Sequence, residues 1–287
     1  MDFQAPAGGN AEVPDIAFIG GGNMARSLVG GLLAGGRAAA TIHVAEPFAA
    51  ARAGFVTDFG VDAVAGNLEA ATRAGVWVIA VKPQVLQDVA RSLAELAQRT
   101  RPLVISIAAG ITSSQLDGWL GGRLPIVRTM PNTPAMLGAG ATGLFANDVV
   151  SAAQRVLAEH LLGSTGVTVW VDGEAQMDAV TALSGSGPAY VFLLAEAMQA
   201  AGEQQGLPAD AARALALQTI HGAARMLVES GESAAALRLR VTSPDGTTHA
   251  AMETFEAGGF RRLVGEAIAA ATRRSRELSA AHGPKTP

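Results

Sequence analysis

Between residues 16 and 171 short β-rich runs alternate with helical stretches, and beyond 174 the β-rich runs stop. This change of grammar limits the possible folds more than any other feature of the chain. The runs are "IAFIG" (16–20), "TIHVAE" (41–46), "VWVIAV" (76–81), "LVISIA" (103–108), "PIVRTM" (125–130), "ATGLFA" (141–146) and "GVTVWV" (166–171). Short strands separated by helical sequence predict βαβ units and a parallel, doubly wound α/β sheet. The later pattern predicts helices at 175–205, 208–230, 233–240, 247–257 and 260–282, with proline at 208 fitting a helix start. Three segments follow: a flexible N-terminal tail over 1–15, an α/β domain over 16–173 and an all-helical domain over 174–287.

A chain of 287 residues with 49% hydrophobic and 16% charged residues is long and apolar enough for two globular domains. Its net charge of −4 supplies no basic footprint for nucleic acid. With no cysteine there is no disulfide, thiolate nucleophile or cysteine metal site. "MDFQAPAGGNAEVPD" lacks the basic start and apolar run of a signal peptide, and the longest apolar stretches are too short to span a bilayer. The expectation is a soluble cytoplasmic protein with neither nucleic-acid nor membrane partners. Helices this poor in charge leave apolar surface that a second subunit would cover.

"FIGGGNMARS" places Gly20, Gly21, Gly22, Asn23, Met24 and Ala25 between the first strand and the first helix. In that context a G-x-G-x-x-A turn lets backbone approach a pyrophosphate, while the helix start offers unpaired N–H groups; this is the Rossmann fingerprint for a dinucleotide. Glu46, at the end of the second strand, suits a free ribose 2′-hydroxyl; Arg52, beyond it, would suit a 2′-phosphate. Lys82 follows a buried strand at the carboxyl end, where open α/β sheets bind ligands. The five histidines, at 43, 160, 221, 249 and 282, have no metal-ligand spacing, so no metal site is expected.

Three further stretches stand out. In "RVTSPDGTTHAAME" (240–253) a turn cluster, Ser243 to Gly246, leads into Thr247 and Thr248, which fits a helix start or a binding turn. "SGSGPAY" (184–190) puts two glycines in otherwise helical sequence; it fits a site-lining loop before a helix restarted by Pro188, or close helix packing. Asn132, between two prolines in "RTMPNTP", fits cofactor contact or a plain turn.

Taken in order, "FIGGGNMA", "AVKPQ", "SIAAGI", "RTMPNTPAMLGAGATGL", "AVTALSGSGPAYVF", "QTIHGAARML" and "VTSPDGTTHA" resemble the pyrroline-5-carboxylate reductase family over about residues 16 to 280. The resemblance implies reduction of 1-pyrroline-5-carboxylate to L-proline by NADPH or NADH, the last step of proline biosynthesis. It implies a Rossmann domain for the nucleotide and a helical dimerisation domain whose cleft holds the substrate, in a dimer or a larger assembly such as a decamer. Nucleotide contacts would fall on Gly20 to Ala25, Asn67, Ala80, Val81, Lys82, Pro83, Ile107, Ala108 and Ala109. Substrate contacts would fall on Glu174, Ser243, Thr247 and Thr248, with Thr248 matching the proposed proton donor to the ring nitrogen.

The residues suit that chemistry. A helix starting near Thr247 would offer N–H groups and two hydroxyls to a carboxylate, and Gly246 keeps the approach open. Asp245 departs from the family, which has glycine there; as the third residue of a type I turn it is expected to face outward. "GESAAA" lacks the family's histidine-proline pair. A β-hydroxyacid dehydrogenase would need a lysine in the helical domain, and 175–282 has none. A non-catalytic nucleotide-binding regulator would have no need of "SPDGTT" or "SGSGPAY".

Overall fold

A computed structural model describes residues 14–281. The tail expected over 1–15 lies almost wholly outside the described residues. Among the described residues the chain forms two compact units, 14–185 with 275–281, and 186–274.

The first unit is an α/β layer structure. Its elements are β1 (Ile16–Ile19), α1 (Asn23–Ala34), β2 (Ile42–Ala45), α2 (Ala49–Phe59), β3 (Asp62–Val64), α3 (Asn67–Thr72), β4 (Val76–Ile79), α4 (Pro83–Thr100), β5 (Leu103–Ser106), α5 (Ser113–Trp119), β6 (Ile126–Met130), β7 (Gly140–Ala146), α6 (Ala152–Gly163), β8 (Gly166–Trp170) and α7 (Met177–Val180). They build one eight-stranded sheet in the order β3-β2-β1-β4-β5-β6-β7-β8. Alternation along β1 shows how the sheet is covered: Ile16 and Phe18 face a core with Leu28, Phe55 and Leu161, while Ala17 and Ile19 face one with Trp77, Leu86, Leu93 and Leu116. Buried on both faces, the central strands read as near-continuous apolar runs.

Two features of the sheet depart from the sequence expectation, and the helix expected over 175–205 runs unbroken only from Gly187. β3 is an additional strand, three residues long and partly exposed, with no apolar run to announce it. β7 runs antiparallel to β6, so the sheet is mostly rather than wholly parallel. The connection over 131–139 contains only a 3₁₀ turn, too short for the dozen or so residues that a parallel crossover needs.

The second unit carries α8 (Gly187–Gln204), α9 (Ala209–Glu229), α10 (Ala234–Arg240), α11 (Thr247–Ala257) and the greater part of α12 (Phe260–Ala281). The last turns of α12 belong to the first unit, where Ser275 Oγ donates to Asp178 at 2.7 Å and Gln115 Nε2 donates to the Ser279 carbonyl at 3.1 Å. Large apolar side chains remain exposed on the second unit, among them Phe192, Leu193, Leu215 and Leu263, and α8 has no buried residue. Helical stability in proteins comes mainly from burying one face, so these helices need a further surface to pack on. No helix among the described residues is long and apolar enough to cross a membrane.

Candidate active site

From β1 the chain moves outward through β2 and β3, then returns to place β4 on the other side of β1. The reversal opens a crevice at the carboxyl ends of β1 and β4, where dinucleotides bind in sheets of this kind. Gly20 crosses that crevice with φ of 105°, and a Cβ there would lie 2.8 Å from the carbonyl carbon of Ala80. Only glycine meets both conditions. Next to it, a Cβ on Gly22 would meet nothing within 4 Å, so the turn is open on its outer side.

The start of α1 is left without a side-chain cap, and its first intrahelical bond is Arg26 N–H to the Gly22 carbonyl. By contrast, α5 and α6 begin with complete capping boxes, Thr112 with Gln115 and Ser151 with Gln154. The N–H groups of Asn23, Met24 and Ala25 thus precede the helical ladder at the positive end of its dipole, and that donor set fits a pyrophosphate.

Glu46 is buried at the end of β2. Its Oε2 accepts from the Gly21 N–H at 3.0 Å and its Oε1 from the Phe48 N–H at 3.0 Å. A carboxylate can accept about four hydrogen bonds, so acceptor capacity remains for ribose hydroxyls. Arg52 folds back, donating through Nη1 to the carbonyls of Glu46 and Pro47 at 2.8 and 2.7 Å. Asn67 begins α3, Lys82 is exposed at the N-cap of α4 with Pro83 following, and Ile107 to Ala109 leave the end of β5. The candidate nucleotide residues therefore gather at the carboxyl ends of five adjacent strands, β3, β2, β1, β4 and β5.

The substrate candidates divide between the units. Glu174, in the first, has both carboxylate oxygens occupied. Oε1 accepts from the Ser113 N–H at 2.5 Å and from Arg128 Nη1 at 3.2 Å, and Oε2 accepts from Ser113 Oγ at 2.8 Å. Ser113 and Arg128 escaped the sequence reading. The available signal was an arginine inside the apolar run "PIVRTM", because a buried charge needs a partner.

Ser243, Gly246, Thr247 and Thr248 lie together in the second unit. The Gly246 N–H donates to the Ser243 carbonyl at 3.2 Å, closing a turn that delivers Thr247 as the first residue of α11. No side chain caps this helix, so Ser243 does not serve as a cap. Asp245 is exposed, and its φ of 59° is the left-handed value of a type II rather than a type I turn. Glycine adopts that conformation most readily, and aspartate is among the residues that tolerate it best.

Comparison with known proteins agrees with this layout. Residues 174–278 match a family model described as pyrroline-5-carboxylate reductase dimerisation, and residues 15–110 match one described as NADP oxidoreductase coenzyme F420-dependent. The chain is 53% identical over 266 residues to a pyrroline-5-carboxylate reductase of Pseudomonas aeruginosa, covering 93% of this chain and 97% of that one. The chain belongs to the pyrroline-5-carboxylate reductase family. A solved reductase from Coxiella burnetii superposes with a TM-score of 0.91 at 45% identity, covering 93% of this chain and 99% of the other. A Plasmodium falciparum pyrroline carboxylate reductase with NADP bound gives 0.80 at 28% identity, covering 92% and 98%. Like other members of this reductase family the chain carries a dimerisation domain, and that domain includes the helices whose apolar faces stand exposed.

Proposed function

We infer that this protein reduces 1-pyrroline-5-carboxylate to L-proline with NADPH or NADH, the final step of proline biosynthesis. The observation that carries this reading is the Gly20 turn, which crosses the β1–β4 crevice ahead of an uncapped helix, in a chain matching reductases over nearly its whole length. The reduced nicotinamide supplies a hydride to the carbon of the C=N bond. Gly20 to Ala25 hold the pyrophosphate, Glu46 takes the ribose hydroxyls, and Asn67, Ala80 to Pro83 and Ile107 to Ala109 line the remaining length.

Ser243, Thr247 and the first N–H groups of α11 hold the substrate carboxylate, with Gly246 leaving the approach open. The Thr248 hydroxyl donates a proton to the ring nitrogen and recovers it from water. For Glu174 the geometry supports a different role: its carboxylate ties Ser113 of α5 to Arg128 of β6. The helical domain joins subunits as a dimer, with a larger assembly such as a decamer built from dimers. The enzyme works in the cytoplasm.

Purified protein mixed with the imine and either nucleotide should show loss of absorbance at the reduced nicotinamide band. No turnover with both nucleotides would overturn the reading. Thr248→Ala should lower turnover while nucleotide affinity, read by fluorescence titration, stays within about twofold; equal loss of both would remove Thr248 from its role. Light scattering at working concentration should report a dimer or a multiple of it, and a monomer would refute the assembly.

A further inference from the structure

Asn132 occupies the N-cap position of the 3₁₀ turn Thr133–Leu137, where an asparagine side chain ordinarily folds onto its own helix. No such cap bond forms. Instead Oδ1 accepts from the Ala141 N–H of β7 at 2.9 Å, and Nδ2 donates to the Ser184 carbonyl at 3.0 Å. The amide orientation is fixed by its partners, because an N–H can only donate and a carbonyl can only accept.

The Ser184 carbonyl lies at a break in helical register. The chain is π-helical over Thr181–Gly185 and resumes as an α-helix from Gly187. An α-helical partner for that carbonyl would be the N–H of residue 188, which is proline and has none. The next N–H, of Ala189, donates to the Ser186 carbonyl at 3.0 Å. The Asn132 amide thus stands in for the missing donor. Beside it, a Cβ on Gly185 would come 2.6 Å from Met130 Cε, so the π turn lies directly against the end of β6. That strand end is on the β4-β5-β6 side of the crevice, across from Glu46. With the adenosine held at Glu46, a dinucleotide lying across the crevice would bring its nicotinamide to this side.

We propose that Asn132 is a positioning residue for imine reduction: its amide replaces the N–H that Pro188 lacks and holds the Ser184–Gly187 turn at the nicotinamide side of the site. This rests on the reductase reading above. Two structural puzzles of the sequence, the asparagine between two prolines and the glycines before Pro188, thereby become two ends of one bond.

The test compares Asn132→Asp and Asn132→Ala, each in the parent chain and in a Pro188→Ala background, which restores an N–H at 188. Asn132→Asp keeps the acceptor for Ala141 and loses the donor for Ser184. In the parent background kcat should fall about tenfold, the scale of one lost buried hydrogen bond, with nucleotide affinity by fluorescence titration unchanged within about twofold. In the Pro188→Ala background the same substitution should cost about threefold or less, and amide exchange over 184–189 should show matching recovery. Equal losses in both backgrounds, a parallel fall in nucleotide affinity, or no loss of kcat would each overturn the proposal. Should Asn132→Ala fail to fold, Asn132→Asp carries the comparison. If the parent chain reduced no imine, the reaction reading and the catalytic part of this proposal would fall together. Amide exchange in the same proteins would still show whether the bond spans Asn132 and Ser184.

Discussion

Glu174→Gln separates two accounts of one carboxylate. In the parent protein Arg128 is 6% exposed at its side chain and Glu174 22%, so the pair is nearly dry on the arginine side and open by about a fifth on the other. Glutamine keeps the shape, but its amide can satisfy only part of the three donors supplied by Ser113 and Arg128. Leaving a fully buried charge unpaired costs about 3–5 kcal/mol. Water reaching through the open side reduces this to about 2–3 kcal/mol, which lowers the melting midpoint of a chain this size by about 5–10 °C. Urea unfolding followed by circular dichroism, with the transition checked against tryptophan fluorescence, measures it. Replacing both residues with methionine should cost less than the sum of the single changes, because the uncompensated charge is gone. If Glu174→Gln left stability within about 0.5 kcal/mol of the parent and instead raised KM for the imine, Glu174 would be a substrate ligand and the clamp would be refuted.

Gly20→Ala should destabilise the protein by about 2–4 kcal/mol, combining a left-handed backbone with contact against the Ala80 carbonyl carbon; a melting curve matching the parent's would contradict this. Glu46→Gln should shift the ratio of NADH to NADPH affinity toward NADPH by about tenfold, since it removes a pinned negative charge from the proposed ribose site. Paired fluorescence titrations read that ratio, and an unchanged value would take Glu46 away from the ribose. At position 245, glycine should be tolerated within about 0.5 kcal/mol, whereas valine should cost about 1–2 kcal/mol at a φ of 59°. Similar urea midpoints for Asp245→Gly and Asp245→Val would show that the turn has relaxed to another conformation.

What the sequence revealed followed from local chemistry. The strands and helices were legible because their apolar period is written into consecutive residues, and the nucleotide turn because strand, glycines and helix lie side by side in the chain. β3 was silent: three residues with exposed Asp62 make no pattern. The reversal of β7 depended on the length of the preceding connection and not on the residues of the strand. The Glu174 clamp was hidden for a different reason, since its partners lie 61 and 46 residues away. Asn132 posed the same difficulty, its carbonyl partner being 52 residues along the chain.

The return of α12 to the first unit has a consequence for how the protein is made. Asp178 is buried, and its hydroxyl partner Ser275 lies 97 residues further on, after the whole of the second unit. A nascent chain on the ribosome can close most of the sheet early, yet it holds that carboxylate without Ser275 until most of α12 has been synthesised. A product ending before residue 275 would keep every strand of the sheet and still lack its final fastening, so it should be recognised as unfinished by proteases that sample local opening.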